Sequence, residues 1–321
     1  MAEPNLTSIV ATTLRNRRGK LADNVLNHNS LLRELNARGN VSVEDGGRTL
    51  VEELEYAENS TFKYYDGYEV LDITPSKVFD AAEYDFKQAA VVVSISGKEK
   101  RQNAGKNGLI KLLDKRIRNA EKTMMNQLSI GVFSDGTGTS GKQVGGLQLL
   151  VADDPTTGTV GGIDRSAFSF WRNSIYDFSS AGVTPSSSTI QAAMNDLWLS
   201  TVRGADHIDA FVAGSTYFNY FWQSLQAIQR ITTADSGAAG YNELEYFGPG
   251  GRSKVLYDDA CSAERMYGLN MDFIHWRVHK DAWMMPMAER EPVNQDSVVV
   301  PVIFMGNLTM SNAELQGVIK P

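Results

Sequence analysis

The chain has 321 residues, of which 42% are hydrophobic and 21% charged, a balance typical of a folded globular protein and not of a disordered one. Its net charge of −7 disfavours a protein that coats nucleic acid through phosphate contacts, and its single cysteine, Cys261, excludes an intramolecular disulfide. Without a signal-type N-terminus or an apolar run of about 18 residues, the chain is expected to be neither secreted nor membrane-embedded.

Residues 1–43 are predicted to form an N-terminal arm. Apolar residues recur there with broken helical spacing, and Gly39 closes the last repeat. They are too sparse to form the core of a domain. The apolar positions are Leu6, Ile9, Val10, Leu14, Leu21, Val25, Leu31, Leu32 and Leu35.

Residues 44–96 have the composition of strands, with a turn signal at Asp66-Gly67. The pattern predicts a long antiparallel hairpin in which a strand over 62–70 carries aromatic residues on both faces. A solvated hairpin of that kind would expose apolar surface, so a second surface is expected to cover it. Its aromatic residues include Phe62, Tyr64, Tyr65 and Tyr68, and its acidic residues include Glu52, Glu53, Glu55 and Glu58.

A long helix is predicted from about residue 108 to 130, within a segment 97–145 that also includes a linker. Its apolar face carries Leu109, Leu113, Ile117, Ala120, Met124 and Leu128. The opposite face carries a basic stripe of Lys111, Lys115, Arg118 and Lys122. The usual explanation of such a stripe is a solvated face, and the helix pattern alone does not decide whether it has a further role.

The remainder predicts an α+β lobe over 146–300 and a closing strand over 301–321. Two helices are expected, near 190–198 and after Ser215, with a strand at 207–213 between them. Further strands are expected at 254–257, 271–278, 298–304 and 315–319.

Two motifs suggest chemistry, but each lacks a necessary part. The sequence GTGTSGK, from Gly136 to Lys142, has the spacing of a phosphate-binding loop, yet Gln143 stands where a magnesium-binding Ser or Thr is needed. His275 and His279 alternate with apolar residues as in a strand, which would hold them roughly 13 Å apart, too far to share one metal ion. We therefore expect no catalytic residue, cofactor or metal.

The order of arm, hairpin, long helix, α+β lobe and closing strands resembles the major capsid proteins of tailed bacteriophages with the Hong Kong 97-type fold. The resemblance covers nearly the whole chain, but it depends on short, scattered sequence segments and not on a catalytic signature. These segments are GGIDRSAFSFWRN at 161–173, DHIDAFVAGSTY at 206–217, YGLN at 267–270, NQD at 294–296 and MGNLTMSN at 305–312.

The resemblance implies an α+β capsid fold with an N-arm, an extended hairpin called the E-loop, a P-domain with a long spine helix, and an A-domain. It also implies a structural subunit that self-assembles through hexamers and pentamers into an icosahedral shell around double-stranded DNA. The E-loop would lie across a neighbour's P-domain, which makes the aromatic, acidic and basic residues given above the expected intersubunit interface. A separate scaffold protein, a portal and a decoration protein are the expected partners, in a virion assembled in the bacterial cytoplasm.

Two alternatives remain open on the sequence. One is a nucleotide-binding enzyme that uses the loop from Gly136 to Lys142, and the other is a minor phage structural protein.

Overall fold

The computed structural model describes residues 29–98, 106–226, 244–287, 290 and 294–321, without the side chains of 106–114 and 226. Four helices of nine residues or more lie in these ranges: α1 (Ser30–Arg38), α2 (Lys106–Val132), α3 (Ile190–Thr201) and α4 (Ser215–Gln226). None of the helices in the described ranges is both long and apolar enough to cross a membrane.

Fifteen strands are described. They are β1 (Val41–Glu44), β2 (Thr49–Glu55), β3 (Phe79–Asp85), β4 (Lys87–Ser96), β5 (Thr159–Val160), β6 (Ile163–Asp164), β7 (Ser174–Asp177), β8 (Ala210–Ala213), β9 (Leu244–Gly248), β10 (Gly251–Tyr257), β11 (Met266–Leu269), β12 (Ile274–His279), β13 (Met285–Pro286), β14 (Ser297–Met310) and β15 (Gly317–Lys320).

The first sheet is built on β14. One edge of β14 pairs antiparallel with β4 over ten positions, and its other edge pairs with β12 and β13, while β1 runs parallel to β12. Alternate residues of β12 are buried, among them Trp276, whose ring stacks on Phe304 of β14 at 5.6 Å. Helix α2 packs against β4, and its buried face includes Ile117 and Met124.

The second sheet has six strands in the order β7-β15-β11-β8-β10-β9. Helices α3 and α4 cover one of its faces and share a core with large aromatic side chains. Trp198 of α3 and Phe221 of α4 both meet Tyr246 of β9 there, with ring centroids 5.8 and 6.5 Å apart. The other face of this sheet contributes to the larger core, which it shares with the first sheet.

The β2–β3 hairpin is fastened to the body at its root. The Tyr84 hydroxyl donates to the carbonyl of Met310 at 2.8 Å, and the Glu83 amide donates to the carbonyl of Gly161 at 2.9 Å. Gly161 has a φ of +58°, and a Cβ there would lie 2.8 Å from the Ala82 methyl. The root therefore requires glycine at this position both for its backbone conformation and for close packing.

Most predicted elements are confirmed: the long helix, the two lobe helices, the strand containing His275 and His279, and the last turn of the arm, which Gly39 ends with a φ of +79°. Residues 1–28 of the predicted arm lie outside the described residues. The predicted strand over 62–70 is wrong, since residues 56–78 contain no strand. The expected boundary between 300 and 301 falls inside the continuous strand β14, and β15 joins the second sheet.

Candidate intersubunit interface

Residues 56–78, here named the tip loop, extend from the β2–β3 hairpin. Its two ends are held together by Tyr56, whose amide donates to the Val78 carbonyl at 3.1 Å and whose hydroxyl donates to the Lys77 carbonyl at 2.9 Å. The Tyr56 ring also stacks on Phe170 at 4.7 Å, which links the loop to the body. The loop is therefore anchored at its base.

The tip loop exposes an unusual amount of apolar surface. Tyr68 and Ile73 are more than 90% exposed, as is Tyr64. A soluble surface seldom gathers so many large apolar side chains in one place unless a partner covers them. The exposed set consists of Phe62, Tyr64, Tyr65, Tyr68, Val70, Leu71 and Ile73.

Of the four acidic residues predicted on the hairpin, three are exposed and one is buried. Glu53, Glu55 and Glu58 are exposed, whereas Glu52 is 4% exposed and belongs to the opposite face of β2. Because side chains alternate along a strand, Glu52 shares the inward face with Leu50 and Leu54. Its inclusion in an intersubunit surface was wrong.

Glu52 instead forms a network that the sequence analysis missed. Both of its carboxylate oxygens accept from the Arg277 guanidinium at 2.8 Å, and Thr309 donates to one of them at 2.6 Å. Arg277 also pairs with Glu44 at 2.8 Å, and the hydrogen bonds that it donates to Glu52 are the main cause of its raised pKa. The network joins the hairpin to β1, β12 and β14.

The basic stripe lies on the outer face of α2. Lys115, Arg118 and Lys122 are exposed, while the side chain of Lys111 lies outside the described residues. The opposite face buries Ala120 and Leu128. The predicted amphipathic division of the helix is thus confirmed over the turns whose side chains are described.

A groove of about 420 Å³ is lined by residues of α2 and β4. Its lining combines aliphatic strand residues with cationic and polar helix residues: Val91, Val92, Val93, Ser94, Lys115, Arg116, Asn119 and Ala120. Val92 is 54% exposed, and the Arg116 guanidinium donates to the Ser94 carbonyl across the groove. Within the described residues β4 pairs with β14 alone, so its other edge lines the groove without a strand partner.

Several amides in and beside the candidate phosphate loop donate within the turn. The amides of Gly141, Lys142 and Gln143 all donate to carbonyls of residues 137–139. The amide of Thr137 donates to the Asp135 carboxylate, an anion that would repel phosphate. These amides are therefore not available to a phosphate group.

The remaining candidates for chemistry are the metal-ligating side chains and Cys261. Those ranges contain no group of three or more His, Cys, Asp or Glu side chains placed to hold a metal ion. Cys261 is 5% exposed, and burial raises the pKa of its thiol to about 12. Such a thiol is protonated at neutral pH and is a poor nucleophile.

Several solved structures with a similar fold are phage capsids. A capsid subunit of cyanophage A-1(L) superposes with a TM-score of 0.61 at 12% identity, covering 90% of this chain and 92% of that one. The capsid of Myoviridae phage XM1 gives a TM-score of 0.52 at 11% identity, with coverages of 89% and 91%. The chain has the Hong Kong 97-type capsid fold.

This fold is not restricted to phage heads. The holo-SrpI encapsulin complex of Synechococcus elongatus matches with a TM-score of 0.51 at 9% identity, covering 87% of this chain and 84% of that one. No protein-family model matches the sequence, and no curated protein resembles it significantly. The capsid fold is therefore shared at identities where few individual residues are retained.

Proposed function

We propose that the chain is the major capsid protein of a tailed bacteriophage, which self-assembles into the icosahedral head shell around double-stranded DNA. The observation that carries the proposal is the tip loop, an apolar extension left uncovered on a capsid fold. A surface of this kind needs a partner, and in a shell built from one chain the partner is another copy.

The groove between β4 and α2 fits the tip loop of a neighbouring copy. Its valine floor would cover apolar side chains such as Phe62 and Tyr68, and the stripe of Lys115, Arg118 and Lys122 would meet the acidic hairpin. Residues 41–95 carry twelve acidic and four basic side chains, whereas residues 96–130 carry three acidic and nine basic ones. Complementary charge of this kind determines which surfaces meet and in what register, and contributes less to the affinity between the two copies.

The role is structural and not enzymatic. Neither the loop from Gly136 to Lys142 nor Cys261 is arranged for catalysis, and interfaces are the features this chain presents. The net charge of −7 suits a shell that encloses DNA without sequence-specific contacts. A separate scaffold protein, a portal and a decoration protein are the proposed partners, in a virion assembled in the bacterial cytoplasm.

Electron microscopy of the purified chain, expressed with and without the scaffold protein of its phage, tests this function. Closed shells, hexameric and pentameric capsomers or tubes are expected. A chain that stays monomeric at high concentration and low salt with its scaffold present would contradict the proposal. In virions, a copy number in the hundreds identifies the major subunit, whereas a few copies would indicate a minor structural protein.

A further inference from the structure

A cleft of about 280 Å³ lies at the base of the tip loop, between the hairpin and the body. Its wall on the hairpin side is the end of β2 and the start of the tip loop, including Glu55, Tyr56 and Glu58. Its wall on the body side comes from the turn that carries Phe170 and from residues 311–314, which follow β14. The cleft is smaller than a typical ligand pocket of roughly 300–1,000 Å³, so its size suits a single side chain.

Aromatic rings form the apolar part of the lining. Tyr56 stacks on Phe170 at 4.7 Å, and the buried ring of Trp171 lies next to Phe170 with centroids 6.4 Å apart. Tyr56 and Phe170 are half-buried, so part of each side chain remains accessible from the cleft. Rings in such a place can cover the aliphatic stem of a long side chain and attract a cation at their faces.

The polar part of the lining carries negative charge. Glu55 and Glu58 are exposed, and neither forms an ion pair within the described residues. The other carboxylate, Glu314, is held by the Arg203 guanidinium, which also lines the cleft. Two carboxylates beside aromatic rings therefore remain for a partner, and this combination suits a lysine or arginine side chain.

We propose that this cleft receives a lysine or arginine side chain from the basic stripe of a neighbouring copy. The inference rests on the proposed function, in which the hairpin of one copy meets α2 of another. The cleft is continuous with that surface, because Tyr56, Ala57 and Glu58 begin the tip loop. The stripe supplies exposed cations, and Lys122 lies about 10 Å along the helix from Lys115, which lines the groove. The tip loop and the cleft therefore use separate parts of one neighbouring helix.

A charge exchange tests this contact through assembly. The starting variant has the stripe reversed to Glu at positions 115, 118 and 122 and assembles weakly. Adding Glu55→Lys and Glu58→Lys places cations in the cleft, opposite the new carboxylates of the neighbour. We expect this addition to lower the concentration needed for assembly by about twofold to thirtyfold, because two pairs of opposite charge form again.

The matched control adds Glu53→Lys and Glu83→Lys to the same stripe variant. Both glutamates are exposed on the hairpin but lie outside the lining of the cleft, and the net-charge change is identical. This control should leave the concentration needed for assembly unchanged. Equal recovery in the two combined variants would mean that only total charge matters, and would overturn the inference.

Photo-crosslinking in assembled particles identifies which segment enters the cleft. A benzophenone amino acid replaces Ala57, an exposed residue of the lining, in one variant. In the control it replaces Leu199, a 59% exposed residue of α3 outside the cleft. Mixing isotope-labelled and unlabelled chains before assembly distinguishes links between copies from links within one copy. We expect position 57 to be linked between copies to peptides that contain residues 115–122, and position 199 not to be.

The outcomes separate this inference from the proposed function. Particles that form normally but link position 57 to another segment, only to its own copy, or to nothing would overturn the inference alone. A chain that forms no particles would contradict the proposed function and, with it, the inference.

Discussion

At the scale of single residues, the Glu52–Arg277 pair determines how the hairpin leaves the body. Glu52 is almost fully buried and depends on Arg277 and Thr309 to satisfy its charge. Arg277 also holds Glu44 on β1, so one guanidinium ties the hairpin root to two strands of the first sheet. The bidentate geometry restricts orientation as well as distance.

Replacing this carboxylate should destabilise the fold. Glu52→Gln leaves Arg277 with one fewer anionic partner in a partly buried place, and we expect the free energy of unfolding to fall by about 1–3 kcal/mol. Glu53→Gln, an exposed neighbour on the same strand, should change it by less than about 0.5 kcal/mol. Denaturant unfolding of the unassembled chain measures both, and equal losses would argue against the network.

Cys261 should be chemically silent in the folded chain. With its pKa raised to about 12 by burial, the thiolate fraction at pH 8 is more than about a thousandfold below that of a free cysteine. Ellman's reagent should therefore react slowly with the native protein and rapidly after denaturation. Ser262→Cys in a Cys261→Ala background provides an exposed thiol at the next position and should react at once. Comparable native rates for the two thiols would refute this account of Cys261.

At the scale of elements, we expect the basic stripe of α2 to be needed for assembly but not for folding. Reversing Lys115, Arg118 and Lys122 to Glu leaves the buried face of the helix intact, so soluble yield and thermal stability should change little. Each ion pair with a neighbour's acidic hairpin stabilises the contact by about 0.2–1 kcal/mol, which the reversal removes. Three such losses together should raise the concentration needed for assembly by about threefold to a hundredfold.

The matched control for the stripe reverses Lys142, Arg203 and Arg252, three exposed cations outside α2. The net-charge change is identical, so a loss of assembly in both triple variants would mean that total charge matters and that the stripe has no special role. Light scattering against concentration measures the assembly threshold of each variant.

The tip loop should be dispensable for folding and necessary for assembly. Replacing residues 58–76 by a short Gly-Ser turn retains β2 and β3. It also retains the hydrogen bond from Tyr56 to the Lys77 carbonyl and the stacking of Tyr56 on the Phe170 ring. The expected product is a folded, soluble subunit that forms weak capsomers or none. Normal shells from this variant, seen by electron microscopy, would remove the loop from the interface.

The sequence predicted elements well wherever periodicity reflects burial. Helix α2 and strand β12 were found because their apolar residues recur at 3.6 and 2 residues, respectively. Over 62–70 the aromatic composition suggested a strand. Strand propensity, however, reflects how well a side chain fits a pleated, half-buried surface. The prediction failed because this segment pairs with no strand within the described chain. The inward position of Glu52 could have been found, because Leu50 and Leu54 mark its face.

At the scale of the whole molecule, two sheets and a projecting hairpin form the capsid fold at about 12% identity to the cyanophage subunit. The order of elements along the chain predicted this fold, but not the strand pairing. Strand β4 pairs with β14 from Ser96 with Ser297 to Lys87 with Gly306, across some two hundred residues. No local sequence pattern specifies such a partner strand. The groove between β4 and α2 could not be predicted either, because it depends on this pairing.

A shell held together by the tip loop requires that a neighbouring copy cover this loop. Trypsin digestion of assembled particles and of subunits dissociated from the same particles, followed by mass spectrometry, measures cleavage after Lys63 and Lys77 within the loop. We predict rapid cleavage at both lysines in free subunits, where the loop is exposed, and strong protection in particles. Equal cleavage rates in the two states would contradict the central claim that this loop lies at an intersubunit interface.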